Sequence, residues 1–355
     1  MGYRYIGSKE KLANSIIELI RQEVPTAQTI VDLMAGTGNF SLALRNQGYK
    51  VIASDVMRYS YHHLTVNLLL KEAPPFNGLI EKIPNIVKDS NKNYYLVLDY
   101  LNKLNGIESY FFNEFSPEGN PHNTNNPRKY YTSFNAKKID VIRKEIKNWY
   151  EEKKITSIEH SLLLHTLILS SNDIANIAGT YGHYLSHFVS RSLDPLILKP
   201  VVLPTDNNIE HTIYCEYAES LAKKIKGDIV YIDPPYNKRQ YAANYHILET
   251  IAREDCPEAI GVSGLRPWRD KYSNFCSKIK IRESFSKIIK TINSDHIFIS
   301  YSEDGLLTLN ELKDFLSTFG EIKVHTIKYK RFKSNNSKKN PILTEYLIYL
   351  KKWKQ

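Results

Sequence analysis

The stretch Ile229–Tyr236, which reads IVYIDPPY, constrains the fold of this chain more than any other. Its first half is a short apolar run rich in β-branched and aromatic residues, which is typical of a buried strand. Two prolines then end the strand, because proline lacks an N–H and has a fixed φ. Asp233, a proline carbonyl and Tyr236 should therefore lie together at the edge of the sheet where ligands bind in open α/β folds. A plain proline-terminated strand is the alternative interpretation.

A strand–turn–helix–strand pattern lies in the first part of the chain, well before Ile229–Tyr236. Strands are predicted over Thr29–Met34 and Lys50–Asp55, with a Gly36-Thr37-Gly38 turn and a helix over Ser41–Asn46 between them. This is the pattern of a βαβ unit. A Gly-x-Gly turn alone is a weak signal. In this context, however, Asp55 stands at the tip of the second strand, where a carboxylate can accept both hydroxyls of a ribose. An ordinary turn with a solvated Asp is the alternative.

The middle of the chain has a different character. From Pro74-Pro75 to about Pro204 the pattern is mostly helical, with helices predicted over Ala136–Trp149 and Ser157–Ala178. We therefore expect an α/β domain built from residues 1–75 and 205–355, interrupted by a mainly helical insertion, 76–204.

The α/β pattern resumes after the insertion. Further strands are predicted over His211–Tyr217, Ile229–Ile232, His296–Tyr301, Ile322–Phe332 and Glu345–Leu350. The last two flank a polar basic loop, Lys333–Asn340, which favours an antiparallel hairpin that closes the sheet. Further helices are predicted over Leu12–Val24, Tyr59–Lys71, Ala218–Ile225, Ala242–Ala252, Phe285–Ile292 and Leu309–Phe319.

Composition narrows the class of partner and the compartment. The net charge of +10 and the 25 tyrosines among 355 residues suit a polyanionic partner with bases on which aromatic rings can stack. Three widely spaced cysteines form neither a metal-ligand pattern nor a disulfide framework, which favours a reducing cytoplasm. We find no apolar signal core and no apolar run long enough to span a bilayer.

Two ligands are suggested by the residues at the predicted strand ends. Asp55 and the Gly36–Gly38 turn suit a ligand with a ribose and a small polar head. The Asp233 carboxylate and the Pro234 carbonyl offer two acceptors, which match the two hydrogens of an exocyclic amino group. Tyr236 supplies a ring on which a planar heterocycle can stack.

Five motifs, in this order, resemble those of the alpha group of Dam-like adenine-N6 DNA methyltransferases, which use S-adenosylmethionine (SAM). They are Tyr5-Ile-Gly-Ser-Lys9, Asp32-Leu-Met-Ala-Gly-Thr-Gly38, Ser54-Asp55, Cys215-Glu-Tyr217 and Asp233-Pro-Pro-Tyr236. Glu216 departs from the Asp that the family often has in the fourth motif. The stretch Asn237–Glu249 looks like the version found in restriction–modification methyltransferases of the FokI and NlaIII type.

The resemblance implies a Rossmann-like SAM-dependent methyltransferase fold, with a mixed seven-stranded sheet, a C-terminal antiparallel hairpin and a mostly helical inserted DNA-recognition region. It implies transfer of a methyl group to the N6 amino group of a flipped-out adenine. The catalytic residues would be Asp233, Pro234, Pro235 and Tyr236. The residues that bind SAM would be Tyr5, Gly7, Ser8, Lys9, Asp32, Ala35, Gly36, Gly38, Asn39, Phe40, Asp55, Glu216, Tyr217 and Asp233.

The resemblance also implies double-stranded DNA as the partner, with a cognate restriction endonuclease encoded separately, no metal, and a bacterial cytoplasmic location. The expected DNA contacts are Lys238, Arg239, Tyr130, Arg143, Arg331 and Lys333, with Arg266 and Arg269 as further candidates. The alternatives keep the fold but change the substrate to cytosine-N4 or RNA, or leave a SAM-binding or DNA-binding regulator without turnover.

Overall fold

The computed structural model describes Tyr5 and residues 7–205, 208–330 and 342–353. The chain divides into two compact units. We call Gly7–Leu64, Asn207–Gln240 and Lys271–Gln355 the sheet unit, and Met1–Ile6, Thr65–Asp206 and Tyr241–Asp270 the helical unit. The predicted insertion thus lies within the helical unit, but that unit also contains Tyr241–Asp270, a segment that follows the Asp233–Tyr236 stretch in the chain.

Seven strands form one sheet in the part of the chain that the structure describes. They are β1 (Thr29–Asp32), β2 (Lys50–Ser54), β3 (Thr212–Tyr214), β4 (Ile229–Ile232), β5 (His296–Ser302), β6 (Gly320–Lys330) and β7 (Ile342–Lys352). Their order across the sheet is β3-β2-β1-β4-β5-β7-β6. The first five run parallel, whereas β7 pairs antiparallel with both β5 and β6. This confirms the predicted mixed sheet with an antiparallel C-terminal pair.

The helices, in chain order, divide between the units. They are α1 (Ala13–Glu23), α2 (Asn39–Asn46), α3 (Arg58–Leu64), α4 (Asn93–Lys103), α5 (Tyr110–Phe115), α6 (Ser133–Glu151), α7 (Ser157–Asp173), α8 (Ser190–Leu193), α9 (Ala218–Leu221), α10 (Tyr241–Asn244), α11 (His246–Arg253), α12 (Ile281–Thr291) and α13 (Leu309–Leu316). A π-helical turn spans Thr65–Leu69, and 3-10 turns span Asn77–Leu79, Arg269–Lys271 and Asn274–Cys276. The sheet unit holds α1–α3, α9, α12 and α13, and the helical unit holds the others.

Most predicted elements are present, with shifted ends. β4 has the predicted limits, because the prolines that follow Asp233 stop it. The prediction for Tyr59–Lys71 was wrong in its second half, where the backbone widens into the π-helical turn. The range Ala242–Ala252 is helical as predicted, but it forms two helices that meet at Tyr245. The predicted loop Lys333–Asn340 and the end of the predicted strand at Phe332 lie outside the described residues.

The early end of α7 has a local cause. The predicted helix ran to Ala178, but α7 ends at Asp173. Asn176 is buried, and its amide nitrogen donates to the carbonyls of Lys129 and Leu185, both at 2.9 Å. These bonds satisfy a non-helical backbone, which is how Asn side chains compete with helix continuation.

The core of the sheet unit lies on one face of the sheet. Val31, Val230, Ile297 and Ile348 point into it from four neighbouring strands. Helices α9, α12 and α13 cover this face with side chains that include Leu221, Phe285, Ile288, Leu312 and Leu316, all buried. Burying each such side chain contributes about 1.5–3 kcal/mol. On the opposite face, the Phe40 ring of α2 packs 4.1 Å from the Tyr231 ring.

The helical unit is built around α7. This helix is apolar on nearly all sides, with Leu162, Leu163, Leu164 and Ile168 fully buried, as expected for a central helix. A capping box between Thr156 and Glu159 starts it. It packs against α6, α11 and the π-helical turn.

Two buried arginines attach the segment Tyr241–Asp270 to the rest of the helical unit. Arg128 forms an ion pair with Glu114 and donates from Nη2 to the carbonyls of Ala259 at 3.3 Å and Gly261 at 3.1 Å. Arg143 donates from Nη1 to the carbonyls of Thr250 at 3.1 Å and Asp255 at 2.7 Å. These bonds explain why a segment from beyond the catalytic motif folds with the insertion.

The buried pair makes a stability prediction. Arg128→Met should destabilise the helical unit by about 3–5 kcal/mol, because Glu114 would remain as an uncompensated buried charge. Thermal unfolding followed by calorimetry measures the loss. Lys103→Met is the matched control, since Lys103 pairs with Asp99 at 2.6 Å on the exposed surface of α4. Its loss should be about 0–1 kcal/mol. Equal losses for the two variants would contradict the prediction.

Candidate active site

The turn after β1 has a backbone that requires glycine. Gly36 and Gly38 have φ values of 55° and 74°, in the left-handed region that residues with a Cβ rarely adopt. The N–H of Ala35 donates to the Ser54 carbonyl at 2.9 Å, which joins the turn to the end of β2. Gly38 then caps the start of α2 at Asn39. The turn therefore presents bare backbone at the carboxyl edge of the sheet.

Asp55 lies beside this turn at the carboxyl end of β2. Its Oδ2 accepts a hydrogen bond from the Gly36 N–H at 2.9 Å, and its Oδ1 accepts one from the Met57 N–H at 2.8 Å. The side chain is half-buried, so its position is fixed while solvent still reaches it. A carboxylate has about four acceptor positions, so these two backbone bonds alone do not fill it.

Asp32 occupies a different environment, in the interior below the turn. It is 1% exposed, and its Oδ2 accepts a hydrogen bond from Ser41 Oγ at 2.6 Å. Burial raises the pKa of Asp32 to about 7, although the Ser41 bond lowers it. Asp32 therefore ties β1 to α2 and supports the turn from beneath. Ser41 was not among the predicted site residues.

The residues after β3 complete this part of the edge. Ser54 Oγ donates to the Glu216 carbonyl at 3.0 Å, which brings the end of β3 beside the end of β2. The Glu216 carboxylate is paired with Lys224 at 2.5 Å, and Tyr217 is the residue that precedes α9. Glu216 is thus held by its backbone near the turn, while its charge is engaged by a lysine.

Asp233 to Tyr236 follow β4 in the middle of the sheet. The Tyr236 carbonyl accepts a hydrogen bond from the Leu306 N–H at 2.8 Å, and the Tyr236 ring lies 6.0 Å from the Tyr301 ring at 66°. Pro234 is buried and Pro235 half-buried. The loop is therefore fixed by its own prolines and by the segment that follows β5.

Lys9 lies against this loop and carries its charge into the interior. Its Nζ is 3.1 Å from Asp233 Oδ1 and 2.7 Å from Glu345 Oε1, and it is 5.3 Å from the centre of the Tyr236 ring. The Lys9 side chain is 3% exposed and that of Glu345 is fully buried. Ser300 Oγ donates to the same Glu345 oxygen at 2.8 Å. Neither Glu345 nor Ser300 was predicted as a site residue.

Neighbouring charges and burial have opposing effects on the pKa values of Lys9 and Asp233. Burial raises the pKa of Asp233 to about 7, Lys9 opposes the rise, and Glu345 adds to it. Burial lowers the pKa of Lys9, but Asp233 and Glu345 raise it by more, so it lies well above its ordinary value. Lys9 is therefore a cation at neutral pH, while the carboxylate of Asp233 is a stronger proton acceptor than that of an exposed aspartate.

The remaining predicted cofactor residues divide between the units. Gly7, Ser8 and Lys9 belong to the sheet unit, together with the turn, Asp55 and Asp233. Tyr5 belongs to the helical unit, where its ring stacks on Tyr245 at 4.6 Å.

The residues predicted to contact DNA differ in their exposure to solvent. Tyr130 and Arg143 lie inside the helical unit, 0% and 6% exposed, and bond to backbone carbonyls there, so their burial argues against DNA contacts. Arg266 is also buried, where it pairs with Asp255 at 2.7 Å. Exposed side chains next to the catalytic loop or further along the chain remain candidates: Lys238, Arg239 and Arg269. Arg331 and Lys333 lie outside the described residues.

The described residues lack two kinds of feature. No helix there is both long and apolar enough to cross a bilayer. In the same part of the chain, no group of three or more His, Cys, Asp or Glu side chains is arranged to hold a metal ion.

Solved structures give only a weak likeness. The structure of TehB from Haemophilus influenzae aligns with a TM-score of 0.36 and 9% identity, over 96% of this chain and 62% of that one. This similarity is too low to support a conclusion.

Sequence comparison is far more specific. The family model described as "D12 class N6 adenine-specific DNA methyltransferase" matches residues 5–315. Type II methyltransferase M.FokI of Planomicrobium okeanokoites is 36% identical over 98% of this chain and 52% of its own length. Modification methylase StsI of Streptococcus sanguinis is 33% identical over 98% of this chain and 52% of its own length. The chain thus spans about half the length of these two relatives.

A third relative matches over the whole of both chains. Type II methyltransferase M.NlaIII of Neisseria lactamica is 31% identical over 98% of this chain and 99% of its own length. The family model and these relatives cover the Gly36–Gly38 turn, Asp55 and the Asp233–Tyr236 loop alike. The chain therefore belongs to the D12 class N6 adenine-specific DNA methyltransferase family.

Proposed function

We propose that this protein transfers a methyl group from SAM to the N6 amino group of an adenine in double-stranded DNA. The observation that carries the proposal is the placement of Asp233, Lys9 and Tyr236 at the end of β4, in the same sheet edge as Asp55 and the glycine turn. One group of residues suits a nucleoside with a charged tail, and the other suits an aromatic amine.

The side chains fit SAM by their chemistry. The Asp55 carboxylate can accept hydrogen bonds from ribose hydroxyls, and the left-handed glycines let a ligand approach the backbone closely. A carboxylate is the natural partner of an ammonium group, and Asp233 presents one at this edge, whereas Asp32 is buried beneath the turn and supports it. When bound, SAM supplies a methyl group on a positively charged sulfur.

The chain's own residues would then prepare the adenine. The amino nitrogen is a poor nucleophile because its lone pair is delocalised into the ring. Hydrogen bonds from its two hydrogens to the Asp233 carboxylate and the Pro234 carbonyl favour a tetrahedral nitrogen with a free lone pair. Tyr236, whose backbone and ring are both held, offers a face for the flipped base to stack on.

The proposed methyl transfer is direct and needs no covalent enzyme intermediate. The N6–carbon bond forms as the sulfur–carbon bond breaks, and N6 loses one proton. Asp233, with a pKa of about 7, is the acceptor for that proton. Catalysis then rests on positioning and on fixed charges.

We further propose that the protein is the modification component of a restriction–modification system, beside a separately encoded endonuclease, in a bacterial cytoplasm. The support is the similarity of the chain to M.FokI and M.NlaIII, which are type II methyltransferases. Phosphate contacts would come from exposed basic side chains such as Lys238 and Arg239.

The proposed function predicts which atom is modified. Unmethylated genomic DNA incubated with the protein and SAM should acquire N6-methyladenine within one recurring sequence. Modified-base sequencing reads the base, the atom and the sequence together. Omission of SAM is the control. Methylation at cytosine-N4 or of RNA alone, or an absence of transfer, would contradict the proposal.

The proposed ribose contact predicts a binding defect. Asp55→Ala should weaken SAM binding about 10- to 100-fold, because the ribose hydroxyls and two backbone N–H groups lose their acceptor. Titration calorimetry measures the affinity. Asp99→Asn is the comparison, since that carboxylate pairs with Lys103 on the exposed surface of α4 and should not matter for SAM binding. Unchanged affinity in Asp55→Ala would exclude the ribose role.

A further inference from the structure

Lys9 is shared between a half-buried carboxylate and a fully buried one, and only the first belongs to the Asp233–Tyr236 loop. The second, Glu345, comes from β7, and its oxygen is the nearer of the two at 2.7 Å against 3.1 Å. The Glu345 side chain is fully buried. It therefore acts on the site through Lys9, without touching a substrate in the edge of the sheet.

The charge balance shows why the second carboxylate matters. A Lys9–Asp233 pair alone would be neutral, and the ammonium would draw electron density from the Asp233 oxygen that faces it. Glu345 places a second carboxylate beside the same ammonium. Burying a further charge is costly, and apolar replacements of buried ion pairs are often neutral or stabilising. Glu345 is thus poorly explained by stability alone.

The position of Glu345 is itself fixed. Ser300 of β5 donates to Glu345 Oε1, the oxygen that also faces Lys9. Strand pairing holds the two side chains in place, since Glu345 is registered opposite Ser302 in the β5–β7 ladder. Among the described residues, Glu345 Oε2 has no hydrogen-bond partner. The hydrogen bond and the ion pair of Glu345 therefore both involve Oε1, the oxygen that faces Lys9.

We propose that Glu345 is a positioning residue for methyl transfer, which draws Lys9 toward β7 and so leaves one Asp233 oxygen for the adenine amino group and keeps Asp233 a strong proton acceptor. This inference rests on the proposed function. It assigns a role to β7, the antiparallel strand of the sheet, and to Ser300 behind it.

The electrostatics of Asp233 point the same way. Burial, Lys9 and Glu345 are the main influences on its pKa, and Glu345 raises it while Lys9 lowers it. The charged and titratable groups that face this cluster are Lys9, Glu345, Asp32, Tyr231 and Tyr236. Removing the charge of Glu345 should therefore lower the pKa of Asp233 and weaken it as an acceptor.

Glu345→Gln tests the proposal, because it keeps the shape of the side chain and removes its charge. We expect kcat to fall about 10- to 100-fold, since the reacting groups are misplaced and Asp233 is a weaker acceptor. The KM values for DNA and SAM should stay within about threefold. The acid limb of the pH–kcat profile should move to lower pH, a shift that a merely structural role would not cause.

Glu23→Gln is the matched control. Glu23, at the end of α1, also pairs with a lysine of the sheet unit, which is Lys323 of β6, at 2.5 Å. This pair does not include Asp233 or Lys9. This variant should keep the wild-type kcat and pH profile. If Glu345→Gln does not fold, Ser300→Ala takes its place, and it should lower kcat with KM unchanged.

A second readout does not depend on turnover. With carboxyl-labelled aspartate and an Asp233→Asn spectrum for assignment, NMR titration should place the Asp233 transition at lower pH in Glu345→Gln than in the wild type. If the wild-type protein does not transfer methyl groups, only the proposed function is contradicted. The NMR titration would still report whether Glu345 affects the pKa of Asp233. An unchanged Asp233 titration, or a wild-type kcat and pH profile in folded Glu345→Gln, would overturn the role of Glu345.

Discussion

Lys9 carries a positive charge into the interior of the sheet unit, where Asp233 and Glu345 share it. An unpaired buried ammonium would be very unfavourable, so the three side chains must be placed together. They come from the N-terminal part of the unit, from the loop after β4 and from β7. The ion cluster therefore depends on the parallel strands and the antiparallel pair being assembled in one sheet.

The two halves of the proposed site use different means of fixing a carboxylate. Asp55 is held by backbone N–H groups at a strand end and stays accessible to solvent. Asp233 is held by a buried cation, and burial raises its pKa to about 7. The first arrangement suits a group that binds a ligand through hydrogen bonds. The second suits a group that accepts a hydrogen bond and then a proton near neutral pH.

Local signals in the sequence predicted the parts of the structure that local chemistry decides. The prolines after Asp233 ended β4 where expected, and the Gly36–Gly38 turn has the left-handed backbone that only glycine adopts readily. Patterns of apolar residues also located all seven strands. These features depend on a few neighbouring residues, and the sequence shows them directly.

Long-range pairing decided the rest. Arg143 and Tyr130 carry the residue types expected of a DNA-binding surface, but their partners are backbone carbonyls far along the chain. In the sequence, Glu345 is one polar residue in a mostly apolar strand. Its role becomes visible only when β7 pairs with β5 and Glu345 meets Lys9 and Ser300. The segment Tyr241–Asp270 likewise joins the helical unit through contacts that no local pattern indicates.

The proposed catalytic role of Asp233 is tested most directly by Asp233→Ala, with methyl transfer to DNA and SAM binding measured on the same preparation. The account predicts a loss of transfer of more than about a hundredfold. It also predicts that calorimetry still detects SAM binding, because Asp55 and the glycine turn are untouched. A variant that transfers methyl groups at the wild-type rate would contradict the account.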